Sequence, residues 1–181
     1  RGKNDSKTSL NLSIAMGVAF MPIYVLLMLF FSANFEQPLV PLMISTVIVF
    51  FDFMNGSLNS ISSGYAPQYT GYGTFSMKVV QAISGFLLVG FAAFGLTGAV
   101  IAALTGRLAA GSMLLFMNRG IIRQSQFDIK TLKSWFKSSW LPLFLTFSSL
   151  IFSFDVLVIR VIYGNEVPIA YFGVALNLLS A

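Results

Sequence analysis

Apolar residues fall along the chain in blocks of membrane-crossing length, separated by short polar stretches. The first block covers residues 10–33 and carries Gly17 and Pro22, both tolerated in membrane helices and both suited to kink one. A tight turn at 34–37 leads to a second block at 38–59. Pro41 sits in its first turn, where a missing N–H costs nothing. Residues 60–74, SISSGYAPQYTGYGT, are rich in Gly, Ser and Tyr and are expected to form a loop. A third block spans 75–94, a minimal turn spans 95–98, and a fourth block spans 99–117. Residues 118–138 form the longest polar stretch. A fifth block at 139–163 carries Pro142, Asp155 and Arg160, and a sixth starts near Pro168. About twenty apolar residues suffice to cross a bilayer as a helix. The pattern therefore predicts an all-α membrane protein, a multi-pass transmembrane helical bundle with five full spans plus the start of a sixth.

Composition supports that picture. Of 181 residues, 56% are hydrophobic and only 9% charged, and the mean hydropathy is +0.82. Soluble domains average about 25% charged residues, so a soluble fold of this size is excluded. The net charge of +5 is then a matter of topology, since a nucleic-acid module would carry its bases on a polar surface; no nucleic-acid partner is expected. Neither Cys nor His occurs, which removes disulfides, thiol chemistry and the usual zinc sites. The chain opens on Arg1 rather than Met and stops within an apolar run, so it is expected to be a fragment of a longer protein.

Charge also orients the blocks. With the N-terminus in the cytoplasm, the cytoplasmic segments hold Arg1, Lys3, Lys7, Lys78, Arg119, Arg123, Lys130, Lys133 and Lys137. The outer turns hold only Glu36 and Glu166, the asymmetry that the positive-inside rule describes. The remaining bases, Arg107 and Arg160, fall inside spans. Within the long polar stretch, FDIKTLKSWF reads as a short amphipathic helix. Phe127, Leu132, Trp135 and Phe136 would lie on the membrane while the lysines face lipid phosphates.

Polar residues inside the blocks are the candidate chemistry. Ser45, Asp52, Asn55, Gly56, Asn59 and Ser63 recur at spacings of three, four and seven, which places them on one helical face. One use of such a stripe would be to line a water-filled cavity that receives hydroxyl groups such as those of a sugar, for which the amide of Asn both donates and accepts. A hydrogen-bonded helix–helix seam is the alternative use. Arg107 stands about ten residues into its span, about 15 Å deep, where an Arg costs about 2.5–3.5 kcal/mol. It either binds a pyrophosphate or acidic sugar or belongs to a buried structural ion pair. Ala99, Ala103, Gly106 and Ala110 form a small-residue face for close packing of the same helix. Asp155 is expected to find a partner on another helix, with Arg107 one candidate, as a gate or as a cation or proton site. Arg160 lies close to the outer interface and is expected to snorkel. Tyr65, Tyr69 and Tyr72 read as interfacial anchors or as a glycan-stacking rim. No nucleophilic triad, phosphate loop or metal-ligand cluster is present, so no enzyme activity and no cofactor are expected.

Over residues 132–179 the chain resembles the multidrug/oligosaccharidyl-lipid/polysaccharide exporter superfamily, and within it the O-antigen-type flippases. The resemblance is carried by Lys133 and Lys137, then Pro142, Asp155, the Tyr163-Gly164 turn and YFGVA from Tyr171 to Ala175. GLTGAVIAAL at 95–104 resembles the family's sixth helix, and GKNDSKTSLNLSIA at 2–15 the loop into its third. Arg160 departs from the pattern, which more often has a small or apolar residue there.

This resemblance implies a fragment, about helices three to eight of fourteen, of a two-lobed alternating-access transporter. Residues 1–118 would belong to the N-terminal lobe, 119–138 to a cytoplasmic amphipathic linker, and 139–181 to the start of the C-terminal lobe. The implied function is a flippase of the cytoplasmic membrane. It would carry a polyprenyl-pyrophosphate-linked oligosaccharide across, with membrane lipids around it and Na⁺ or H⁺ as the candidate coupling ion. Arg107, Asp52, Asn55 and Asn59 would bind substrate. The rival readings are a cation-coupled multidrug antiporter of the same superfamily and a non-transporting membrane subunit for glycan assembly.

Overall fold

A computed structural model describes residues 5–35 and 38–138 of the chain. The chain divides into two compact units, residues 1–129 and 130–181. The first unit holds α1 (Ser6–Phe35), α2 (Leu39–Tyr65), α3 (Pro67–Gly85), a π-helical turn (Phe86–Phe91) and α4 (Gly95–Gln124). A fifth helix, α5, covers Ile129–Ser138. No strand occurs among the described residues. Four stretches are long and apolar enough to cross a membrane: Ser6–Phe30, Leu39–Tyr65, Pro67–Phe91 and Gly95–Gln124. The fifth and sixth blocks of the sequence, with Asp155 and Arg160, lie outside the described residues.

The expected loop at 60–74 is not a loop. α2 continues to Tyr65 and α3 begins at Pro67, leaving Ala66 as the whole connection. The residue before a proline is pushed out of the helical region, and Ala66 is extended at φ −152°, ψ 79°. Pro67 then starts α3 at a position where its missing N–H is no loss. Packing outweighs the weak helix propensity of the Gly and Ser residues here. Leu58, Ile61 and Ser62 are buried on one side of the corner and Gly73 on the other. The other junction also shifts. The third span ends in the π-helical turn, where the Ala92 N–H donates to Leu87 O over 3.0 Å. The reversal occupies residues 92–94, with Ala93 in the left-handed region at φ 52°, so α4 starts at Gly95.

α4 packs against both α2 and α3, and α1 packs on α2. On α4 the residues Gly98, Ala102, Gly106, Ala110, Leu114 and Asn118 are all buried, each four positions from the next. A step of four drifts by about 40° around a helix, so this series faces different partners along its length. At Gly106 it faces α3, where a Cβ would stand 2.9 Å from Met77 O and from Gln81 Cβ. At Asn118 it faces α2, where Nδ2 donates to Ser62 Oγ over 2.7 Å. The small-residue face expected at 99, 103, 106 and 110 is therefore rotated: Ala99 is exposed and Ala103 half-buried, while Gly98 and Ala102 take their places.

The start of α1 is tied to the end of α4. The Lys7 N–H, an orphan of the first helical turn, donates to Ser125 Oγ over 2.8 Å. Thr8 is fully buried. It donates to Gln126 O over 3.4 Å and accepts from the Asp128 N–H over 2.9 Å. Lys7, Arg119 and Arg123 thus belong to the same end of the bundle. Lys78 does not: it lies within α3, a correction to its place among the terminal bases.

In α5, Ile129, Leu132, Trp135 and Phe136 occupy one arc of the helix, and Lys130, Lys133 and Lys137 another. The expected amphipathic helix is present. It begins two residues later than the pattern placed it, so Phe127 belongs to the connection.

Candidate functional site

The four residues assigned to substrate from the sequence line one cleft. It lies among α2, α3 and α4, has a volume of about 280 Å³, and includes Asp52, Asn55, Gly56, Asn59, Thr74 and Arg107 in its wall. Three come from the α2 stripe, whose spacing of three and four keeps them on one face. Arg107 comes from α4, one residue beyond the contact that Gly106 makes with α3.

Arg107 Nε donates to Asp52 Oδ1 over 2.6 Å. Its Nη1 donates to Ala103 O, one turn back, over 3.2 Å. Asn55 Nδ2 donates to the Arg107 carbonyl over 3.0 Å. The guanidinium is thus held by two contacts and the Arg107 backbone by a third. The pair is part open to the cleft, with side-chain exposure of 26% for Arg107 and 51% for Asp52. A charge-assisted bond this short is among the stronger polar contacts available. It also offsets much of the penalty of about 2.5–3.5 kcal/mol for an Arg at membrane depth. Asp52 is thus the partner of Arg107 among the described residues, and Asp155, the earlier candidate, lies outside them.

Two acceptors of wall residues remain unused. Asn55 Oδ1 and Asn59 Oδ1 are buried and have no hydrogen-bond partner among the described residues. An unmet buried acceptor costs about 1–3 kcal/mol, a cost that an incoming O–H or N–H donor removes.

A second, more open groove of about 540 Å³ runs between α1 and α2. Ser9, Ser13, Tyr24, Ser57 and Ser60 contribute hydroxyls to it, and Asp52 and Gly56 line both spaces. The two meet at Gly56, where even an added Cβ would touch nothing within 4 Å. The sequence reading passed over the α1 serines. Ser9 and Ser13 are one turn apart, and that spacing was the available signal.

Other assigned residues disperse. Ser45 donates to its own helix at Leu42 O over 2.6 Å and to Met28 Sδ of α1 over 3.9 Å, away from the cleft. Ser63 is exposed at the Ala66 corner, its hydroxyl 3.4 Å from that of Thr70. The three tyrosines do not form one rim. Tyr65 closes α2 and Tyr72 lies on α3, both exposed, whereas Tyr69 packs against the buried Leu10, Leu58 and Leu114. Tyr69 is a core residue because the segment is helical and turns it inward.

Among the described residues no three His, Cys, Asp or Glu side chains are grouped to hold a metal ion. Asn55 Oδ1 faces Gly111 of α4, outside the cleft wall, so the arrangement suits a ligand that offers a hydroxyl donor to Asn59 and a charged group to the Asp52–Arg107 pair. No family model matches the chain, and no curated protein or solved structure matches it either.

Proposed function

We propose that the chain is part of a flippase that moves a polyprenyl-pyrophosphate-linked oligosaccharide across the cytoplasmic membrane by alternating access. One observation carries this reading. A charged pair, two asparagines and the unpartnered amide oxygen of Asn59 share a cleft between helices of membrane-crossing length. Ionisable and polar groups at that depth are costly, and they mark substrate paths. Sugar hydroxyls would satisfy Asn59, and the serine-lined groove joined at Gly56 gives room for further sugar units. The lipid tail would stay in the bilayer. The likeness of residues 132–179 to the O-antigen-type flippases points the same way. On that likeness Asp155 takes part in gating or ion coupling, and 1–118, 119–138 and 139–181 divide as lobe, linker and lobe. The antiporter reading uses Asp52 or Asp155 for Na⁺ or H⁺; Arg107 holds one oxygen of the first, and the second lies outside the described residues.

The test is made on the full-length protein in its host. Deleting it should cause lipid-linked oligosaccharide to accumulate on the cytoplasmic leaflet, and the wild-type gene should clear it. An Arg107→Ala copy should fail to clear it. Normal lipid-linked oligosaccharide in the deletion strain would sink the flippase reading, and altered drug sensitivity there would favour the antiporter.

A further inference from the structure

Lys78 lies eleven positions beyond the first residue of α3, Pro67, about 17 Å along the helix. Its height relative to the cleft follows from packed neighbours. Gly106 abuts Met77 and Gln81, so Lys78, between those two in sequence, is level with Arg107, the neighbour of Gly106. Its direction follows from helical phase. Thr74 lines the cleft, and a residue four positions on lies one turn up, about 40° further round. Lys78 is therefore just outside the cleft wall, which α3 lines with Gly73, Thr74 and Met77, and stands at its rim beyond Thr74. Its side chain is exposed, and it makes no hydrogen bond or ion pair with any described residue.

Among the described residues the charges at this level are Asp52, Arg107 and Lys78. The first two neutralise each other across a 2.6 Å contact, so the surplus positive charge belongs to Lys78. An ammonium in a membrane helix is costly against lipid, and such groups face a polar interior. A lysine stem does not span the 17 Å or so to the helix start. We infer that Lys78 receives the phosphate or pyrophosphate of the ligand that enters the cleft, while Arg107 holds Asp52 and shapes the wall. The inference rests on the cleft being a substrate site, and it moves anion recognition from Arg107 to a residue on another helix.

Purified full-length protein in detergent is titrated with farnesyl pyrophosphate, farnesol and inorganic pyrophosphate, read by shifts in thermal midpoint. Wild type should bind farnesyl pyrophosphate at least about tenfold more tightly than farnesol, the size expected of one charge-assisted contact. Lys78→Gln should bring the two affinities together and leave the farnesol affinity unchanged, and Lys78→Arg should restore the difference. A wild-type ratio retained in Lys78→Gln would overturn the inference and leave the flippase reading intact. A wild type that does not distinguish farnesyl pyrophosphate from farnesol would overturn both. Inorganic pyrophosphate binding as tightly as farnesyl pyrophosphate, with loss in Lys78→Gln, would uphold the anion site but reassign it to a free anion. A lower midpoint of unliganded Lys78→Gln, rescued by Lys78→Arg, would show an internal ion pair and overturn the inference.

Discussion

Where α1 begins, Thr8, Leu10, Ser57, Leu58, Ser62, Leu114, Asn118 and Ser125 are all buried. Near the other end of α1, Leu26, Leu27, Leu29 and Phe30 are exposed, and so are Phe86, Phe91, Phe94 and Leu96 around the π-helical turn. A soluble protein sorts its residues the other way. In lipid, large apolar side chains gain nothing by leaving the solvent. Helices associate instead through close approach of small residues and through hydrogen bonds between polar ones. The first end uses both devices: Asn118 bonds Ser62, Ser9 lies 2.8 Å from Ser57, and Thr8 bridges to Gln126 and Asp128. The cleft lies between the two regimes. Below it the helices are joined by polar contacts, and above it they present large apolar residues outward.

The largest expected effect breaks the close approach. A Cβ on Gly106 would meet the Met77 carbonyl oxygen at 2.9 Å, and a backbone atom inside a helix has little room to move. Gly106→Leu should destabilise the purified protein by about 3 kcal/mol, the upper part of the overpacking range. Gly56→Ala is the matched control. It meets nothing and replaces a weak helix former, so it should be neutral or stabilising by up to about 1 kcal/mol. Equal losses at both positions, seen in thermal unfolding, would show that the α3–α4 seam is not what the backbone positions imply.

The next effect strands a charge. Asp52→Asn leaves Arg107 without its counter-ion, and the loss is bounded by the cost of about 2.5–3.5 kcal/mol for a lone Arg at membrane depth. Both groups are partly open to the cleft, so about 2 kcal/mol is expected. Adding Arg107→Gln should recover most of it, because removing both charges leaves nothing unpaired. A double variant as unstable as the sum of its parts would mean that the two residues do not depend on each other.

Much of this was legible beforehand. Blocks of about twenty apolar residues fix membrane helices whatever their neighbours, and three- and four-residue spacing put Asp52, Asn55 and Asn59 on one face. The amphipathic α5 was legible for the same reason. The helical corner at Ala66 was not, because Gly, Ser and Tyr signal a loop locally while the burial of Leu58, Ser62 and Gly73 against α4 decides the outcome. That miss carried Tyr69 out to a rim and Lys78 into a terminal segment. The partner of Arg107 was also hidden. Asp52 is 55 residues away, and periodicity fixes faces within a helix without saying which helix they meet.

The smallest effect uses one substitution at both ends. Leu58 is fully buried against Leu10 and Leu114, and Leu26 is 67% exposed. Leu58→Ala forfeits contacts and leaves a cavity, a change worth about 2–5 kcal/mol in soluble cores. The lower figure applies here, because lipid would receive the freed surface without penalty. Leu26→Ala removes the same atoms from a position with few protein contacts, so it should cost less than about 0.5 kcal/mol. Thermal unfolding of the full-length protein reads both. If Leu26→Ala costs as much as Leu58→Ala, the C-terminal half of α1 is covered by protein rather than by lipid. The contrast between the two ends would then belong to residues 5–138 alone and not to the full-length protein.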